Sequence, residues 1–151
     1  MRYISILLTI AITNAYAGEP VADLNHVALE TWEISEINYC PNVCALDDEQ
    51  ASSFNGDIIE FGEFSAAIGD EICDAPSYLY RHVTSSEFLQ GNRFRLSDIG
   101  IDGDTVVEVS LFCGGPYGER KYGMASSFYI KNNNEIVVGY NGVEFLAKRV
   151  K

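Results

Sequence analysis

The chain has 151 residues with 22 acidic and 10 basic side chains, a formal charge of −12. A polyanion of this size is repelled by the phosphates of nucleic acid and by anionic membrane surfaces, so neither is an expected partner. Cations or a basic protein are the electrostatically reasonable company, and the length accommodates one domain rather than two.

The chain opens with Met1-Arg2, an apolar run from Ile4 to Ile12 interrupted only by Ser5 and Thr9, and the small-x-small tripeptide Ala15-Tyr16-Ala17. This order of basic, apolar and cleavable parts predicts a signal peptide over 1–17, leaving a single β domain over 18–151. The run is shorter than the roughly 20 residues of a bilayer span. A periplasmic or secreted protein, most simply a bacterial one, is therefore expected, with no membrane association once the leader is removed.

Four cysteines follow the leader: Cys40, Cys44, Cys73 and Cys113. An even number in an exported chain argues for disulfides. Of the three possible pairings, Cys40–Cys44 with Cys73–Cys113 is favoured, because the turn-prone Cys-Pro-Asn-Val-Cys segment brings its ends close. A zinc site is the rival use of these thiols. His26 and His82 are not spaced to complete one, and no other metal or cofactor is expected.

Short β-type segments follow in chain order, separated by Gly, Asn and Asp turns. Strands are predicted over 31–39, 57–64, 66–73, 78–83 and 105–113. On the last, Val107, Val109, Leu111 and Cys113 share a face. Alternation in 66–73 places Cys73 with Glu71 rather than Ile72, which requires a bulge or a strand end. Strands over 122–130, 136–140 and 143–148 complete an antiparallel meander, with Asn141-Gly142 as a two-residue hairpin turn. Helix signals are short: Asp47 or Asp48 before Glu49–Ser53, and Ser85 or Ser86 before Phe88 and Leu89. The expected fold is all-β and antiparallel, about eight strands closed or nearly closed into a barrel, with one or two short helices.

Trp32 on the first strand and Arg149 at the end of the last look like the pair found in lipocalin-type barrels, where an arginine covers an early tryptophan. The lipocalin motif has Gly two positions before its Trp, where this chain has Glu30. The resemblance implies a barrel in which the Arg149 guanidinium stacks on Trp32. It also implies a carrier of a small apolar ligand. Without it, Trp32 is simply core and Arg149 a solvated charge.

Constellations for catalysis are thin. Only His26 and His82 can act as imidazole bases, and no Gly-x-Ser-x-Gly turn accompanies them. Acidic clusters at Asp47-Asp48-Glu49 and Asp70-Glu71 follow from the composition. Asp98, Asp102 and Asp104 do not match the calcium-loop spacing. No catalytic residue is assigned, and the chain is read as a non-enzymatic binding protein. The loop Cys113-Gly114-Gly115-Pro116-Tyr117-Gly118-Glu119-Arg120 carries the candidate binding residues Tyr117, Glu119 and Arg120, since a glycine-rich loop on a rigid β scaffold can present an aromatic anchor. The most concrete expectation is inhibition of a cationic hydrolase such as lysozyme. The alternatives are the apolar-ligand carrier and an uncharacterised enzyme.

Overall fold

A computed structural model describes residues 29–41, 44–115, 118–120 and 123–151. The leader, His26 and Tyr117 lie outside the described residues.

The described residues form ten strands: β1 (Thr31–Tyr39), β2 (Ile58–Phe61), β3 (Ser65–Ile68), β4 (Glu71–Asp74), β5 (Ser77–Thr84), β6 (Thr105–Cys113), β7 (Glu119–Arg120), β8 (Ser127–Asn132), β9 (Glu135–Tyr140) and β10 (Val143–Arg149). Helix α1 spans Asp48–Ser52, α2 spans Ser85–Asn92, and a 3-10 turn covers Leu96–Ile99. All ladders are antiparallel, in the order β4-β3-β2-β1-β10-β9-β8-β6-β5, with β7 beside β6.

The sheet curls into an open half-barrel, which corrects the expectation of about eight strands in a closed or nearly closed barrel. The additional strands have identifiable origins. The segment read as one strand over 66–73 is broken at Gly69-Asp70, where Gly69 has φ 57°, and becomes the hairpin β3–β4. The short β7 adds the tenth. Closure fails at the ends of the order. β4 and β5 are consecutive in the chain, yet they do not fold back on one another. The carbonyls of Asp74 and Ala75 accept from Gly114 N (2.9 Å) and Gly115 N (2.7 Å), so the chain runs on along the β6 side instead of making a hairpin. The seam is held by those two hydrogen bonds, by Tyr78 Oη donating to Gly62 O at 2.8 Å, and by the Cys73–Cys113 disulfide.

Cys40 is paired with Cys44, and Cys73 with Cys113. Neither the bulge nor the strand end expected at Cys73 is present: it sits inside β4 opposite Ala66, in a regular ladder that keeps the alternation. Cys73 is buried, Ile72 faces solvent, and Glu71 is the first residue of β4 rather than part of a core face. The strand expected from 122 starts five residues later, because Gly123–Ser126 forms a turn with Ala125 at φ 55°.

Two apolar clusters lie on opposite faces of the sheet. The concave face packs Trp32, Ile34, Phe61, Val109, Phe128 and Phe145, with Phe61 stacked on Phe128 at 4.6 Å between centroids. The convex face of β5, β6 and β8–β10 is covered by α2 and the segment after it. Phe88, Phe94, Leu96, Ile99 and Ile101 pack on Val83, Val106, Tyr129, Val137 and Leu146. Strands β8–β10 are therefore apolar on both faces, as strands covered on both sides must be. Helix α2 starts one residue earlier than the serines suggest. Thr84 is the cap, accepting from Glu87 N while the Glu87 carboxylate accepts from Thr84 N at 2.9 Å. Such a reciprocal box satisfies two amide donors that the first helical turn leaves open. Asp47 caps α1 in the same way, through Gln50.

The two disulfides close loops of very different length. Restriction of the unfolded chain predicts roughly 4 kcal/mol for Cys73–Cys113 (separation 40) and roughly 2 kcal/mol for Cys40–Cys44 (separation 4). Urea denaturation of the Cys73→Ser/Cys113→Ser and Cys40→Ser/Cys44→Ser double variants should show the first pair losing clearly more stability. Equal losses would show that loop length does not govern them.

Candidate functional site

The loop carrying the candidate binding residues is anchored at its base. Cys113 is tied to Cys73, and Gly114 and Gly115 hydrogen-bond to the β4–β5 link, both at positive φ. Gly118 N returns to Gly115 O at 2.9 Å, and a Cβ at Gly118 would run into the Cys113 carbonyl. Glu119 and Arg120 are exposed on β7, opposite Cys113 and Phe112. The loop is thus fixed against the edge of β4.

That edge belongs to a surface the linear reading did not assemble. From Asp47 to Asp74 the chain holds nine of its 22 acidic residues and no Lys, Arg or His. They are Asp47, Asp48, Glu49, Asp57, Glu60, Glu63, Asp70, Glu71 and Asp74, and every one is exposed. Asp47, Asp48 and Glu49 lie at the start of α1, which packs against β1, and the other six lie on the paired strands β2–β4 and the segments that join them. Three large apolar side chains stand exposed in the same region: Ile58, Phe64 and Ile72, the last two 82% and 71% accessible. The acidic clusters were visible in the sequence. Their union, and the apolar groups among them, depend on strand pairing.

The other sequence candidates disperse. His82 is exposed on β5, in a depression of about 330 Å³ shared with Asp102, Lys131 and Asn132. Asp98 caps the 3-10 turn, its carboxylate accepting from Arg95 N at 2.7 Å. Among the described residues no group of three or more His, Cys, Asp and Glu can hold a metal ion. Trp32 is fully buried, and Arg149 lies directly opposite it in the β1–β10 register, its guanidinium carbon 5.6 Å from the ring centroid. Arg149 also reaches Glu30 at 3.7 Å. This contact ties the start of β1 to the end of β10.

Comparison of the chain with family models, curated proteins and solved structures found no match.

The concave interior is filled by aromatic side chains. Phe54 packs edge-on against Tyr140 and Phe145, and Tyr78 against Phe61. Burial drives the Tyr78 hydroxyl far above the usual phenol range, and the neighbouring Tyr80 adds to this. The space left at the mouth is about 230 Å³, floored by Phe54, Ile59, Ile68 and Tyr140 and edged by Asp57 and Asp70. That is below the roughly 300–1,000 Å³ of pockets that enclose small ligands.

A second feature escaped the sequence altogether. Glu144 has the parity of Leu146 and so points to the convex face, where it is only 8% exposed. Its Oε2 meets no hydrogen-bond donor among the described residues. Burial alone pushes its carboxyl up to about 7. The carboxylate lies over Gly139, its partner across the β9–β10 ladder, and a Cβ there would sit 3.2 Å from both oxygens. A glycine in a strand interior often marks such a close approach, and this was the one available signal. Glu144 lines a cleft of about 470 Å³ with Asn92, Phe94, Ser127, Tyr129 and Tyr140. Asn92 Nδ2 donates to Tyr129 Oη at 3.3 Å, and burial, then the Glu108 carboxylate, raises the Tyr129 phenol to about 12.

The Glu144 carboxyl makes stability depend on pH. Its folded value lies above its unfolded one, so its favourable contribution is complete below about 4.5 and is lost as pH rises to about 7. The loss is on the order of 3 kcal/mol. Thermal melts of wild type between pH 4 and 8 should fall over that window, while Glu144→Gln should be flatter. Parallel curves would show that the carboxyl titrates normally.

Proposed function

We propose that the chain is an exported, non-enzymatic binding protein, periplasmic or secreted, whose partner is a basic protein. The two disulfides fit an oxidising compartment outside the cytosol. No helix among the described residues is long and apolar enough to cross a membrane. The observation that carries the reading is the acidic surface on α1 and β2–β4, with its exposed Ile58, Phe64 and Ile72. One-sign charge steers an oppositely charged partner and sets orientation, while apolar and aromatic anchors supply the affinity that persists after docking. Its neighbour is the anchored base of the 113–120 loop, where Glu119 and Arg120 extend the contact. A filled interior favours this surface over an internal ligand as the working part. Inhibition of a cationic hydrolase such as lysozyme is the concrete form of the proposal.

Hen-type lysozyme immobilised on a column, with its lytic activity assayed in parallel, tests this. Retention at low salt that weakens steeply with ionic strength is expected. The triple variant Asp57→Asn/Glu60→Gln/Glu63→Gln should reduce binding at least tenfold. Glu36→Gln/Asp102→Asn/Asp104→Asn, all exposed and outside the β1–β2 register, makes the same change in net charge and should reduce it far less. Equal losses in both variants would reduce the effect to net charge and overturn the assigned surface.

A further inference from the structure

The buried carboxyl on the convex face stands apart from the acidic surface and from everything assigned to it above. We propose that the Glu144 cleft is a binding site for an organic cation, a protonated primary amine or a guanidinium, whose head group hydrogen-bonds to the Glu144 carboxylate beside the ring of Tyr129.

Four observations lead there. First, Glu144 is more than nine-tenths buried, and one of its oxygens has no donor among the described residues. A buried ionic group without a partner is costly, and a charge-assisted hydrogen bond from a cation offsets that cost more fully than any neutral donor. Second, Glu144 is the one charged side chain among the described residues that line the cleft, and its negative sign favours a cation over an anion there. Third, the walls suit an organic cation rather than a metal ion. Ca²⁺ and Mg²⁺ require several oxygen ligands, usually more than one of them charged, whereas aromatic faces such as those of Tyr129, Tyr140 and Phe94 attract ammonium and guanidinium groups. Fourth, the space of about 470 Å³ falls in the size range of small-ligand pockets and exceeds what a carboxyl alone needs. Gly139 makes the room: a Cβ there would crowd both carboxylate oxygens at 3.2 Å.

Occupation is coupled to protonation, because only the carboxylate form pairs with the cation. The titratable groups facing Glu144 are tyrosines: Tyr129 on β8, Tyr140 on β9, and Tyr39 opposite it on β1. The Tyr129 phenol, raised to about 12, keeps its proton near neutrality, so the Glu144 carboxyl sets the pH response. With its carboxyl near 7, affinity should fall about tenfold for each pH unit below that point.

The test uses the full exported chain and NMR. Butylamine and butylguanidine are titrated at pH 8, with 1-butanol as the neutral isostere, and the amide signals of Asn92, Ser127 and Gly139 are followed. Saturable shifts with both cations, absent with butanol, are expected. Glu144→Gln should weaken the cations at least tenfold. Should that variant fail to fold, the carboxyl carbon of Glu144 in wild type gives the same information, since bound butylguanidine must lower its titration midpoint. No saturable shift, equal shifts with butanol, or an unmoved midpoint would overturn the proposal. Tighter binding of the tripeptide amide Ala-Arg-Ala than of butylguanidine identifies a protein side chain as the natural source; the reverse identifies a free small amine. Either result sustains the site.

Discussion

The structure depends on burial of strands β8, β9 and β10 from both sides. A curled antiparallel sheet ordinarily hides one face and wets the other. Here the concave face is closed by its own aromatic filling, and the convex face by Phe88, Phe94, Leu96, Ile99 and Ile101 from a single stretch of chain between β5 and β6. A fully buried aromatic or aliphatic side chain contributes about 1.5–3 kcal/mol relative to exposure, so this second layer is a substantial part of the fold's stability. It also explains why the half-barrel can remain open: closure is unnecessary when the central strands are already covered. The two candidate sites lie beside these layers, the acidic residues on β2–β4 and the buried Glu144 in the cleft beside α2.

The strands with one clear face were legible. β1, β6, β9 and β10 fall where alternation puts them, since each is long enough for period two to show. The disulfide pairing followed from the turn-prone Cys40–Cys44 segment and from the inward parity of Cys113. Breaks were harder to see. Ala66 to Cys73 reads as one apolar strand, and only the backbone at Gly69 divides it, because a lone glycine can equally sit in a strand interior. Lys121 to Ser126 continues an alternating pattern that the structure spends partly on a turn with Ala125 at positive φ. Barrel closure was illegible for a different reason. It depends on whether β4 and β5 meet laterally, which the two residues between them do not reveal.

The candidate sites divide along the same line. Clusters of like charge are visible in a linear sequence, but the acidic surface exists because three short strands pair side by side. Glu144 was hidden by its own pattern. It alternates with Phe145 as a solvent-facing residue should, and Leu146 and Lys148 on the same face gave no warning. The cleft it lines is shared with Asn92 and Phe94, some fifty positions away in the chain.

The two-residue turn at Asn141-Gly142 has a consequence of its own. Both residues hold positive φ, 49° and 80°, the geometry that joins two strands without slack. It sets the phase of β10. With Val143 opposite Tyr140, Glu144 falls on Gly139, and Phe145 falls among the aromatic rings inside. A connection one residue longer would invert that phase, turning the carboxyl into the apolar filling and the phenyl ring out to water. The polarity of the whole last strand, and with it which face of the molecule carries a charge in its depth, is decided by the tightness of a single bend.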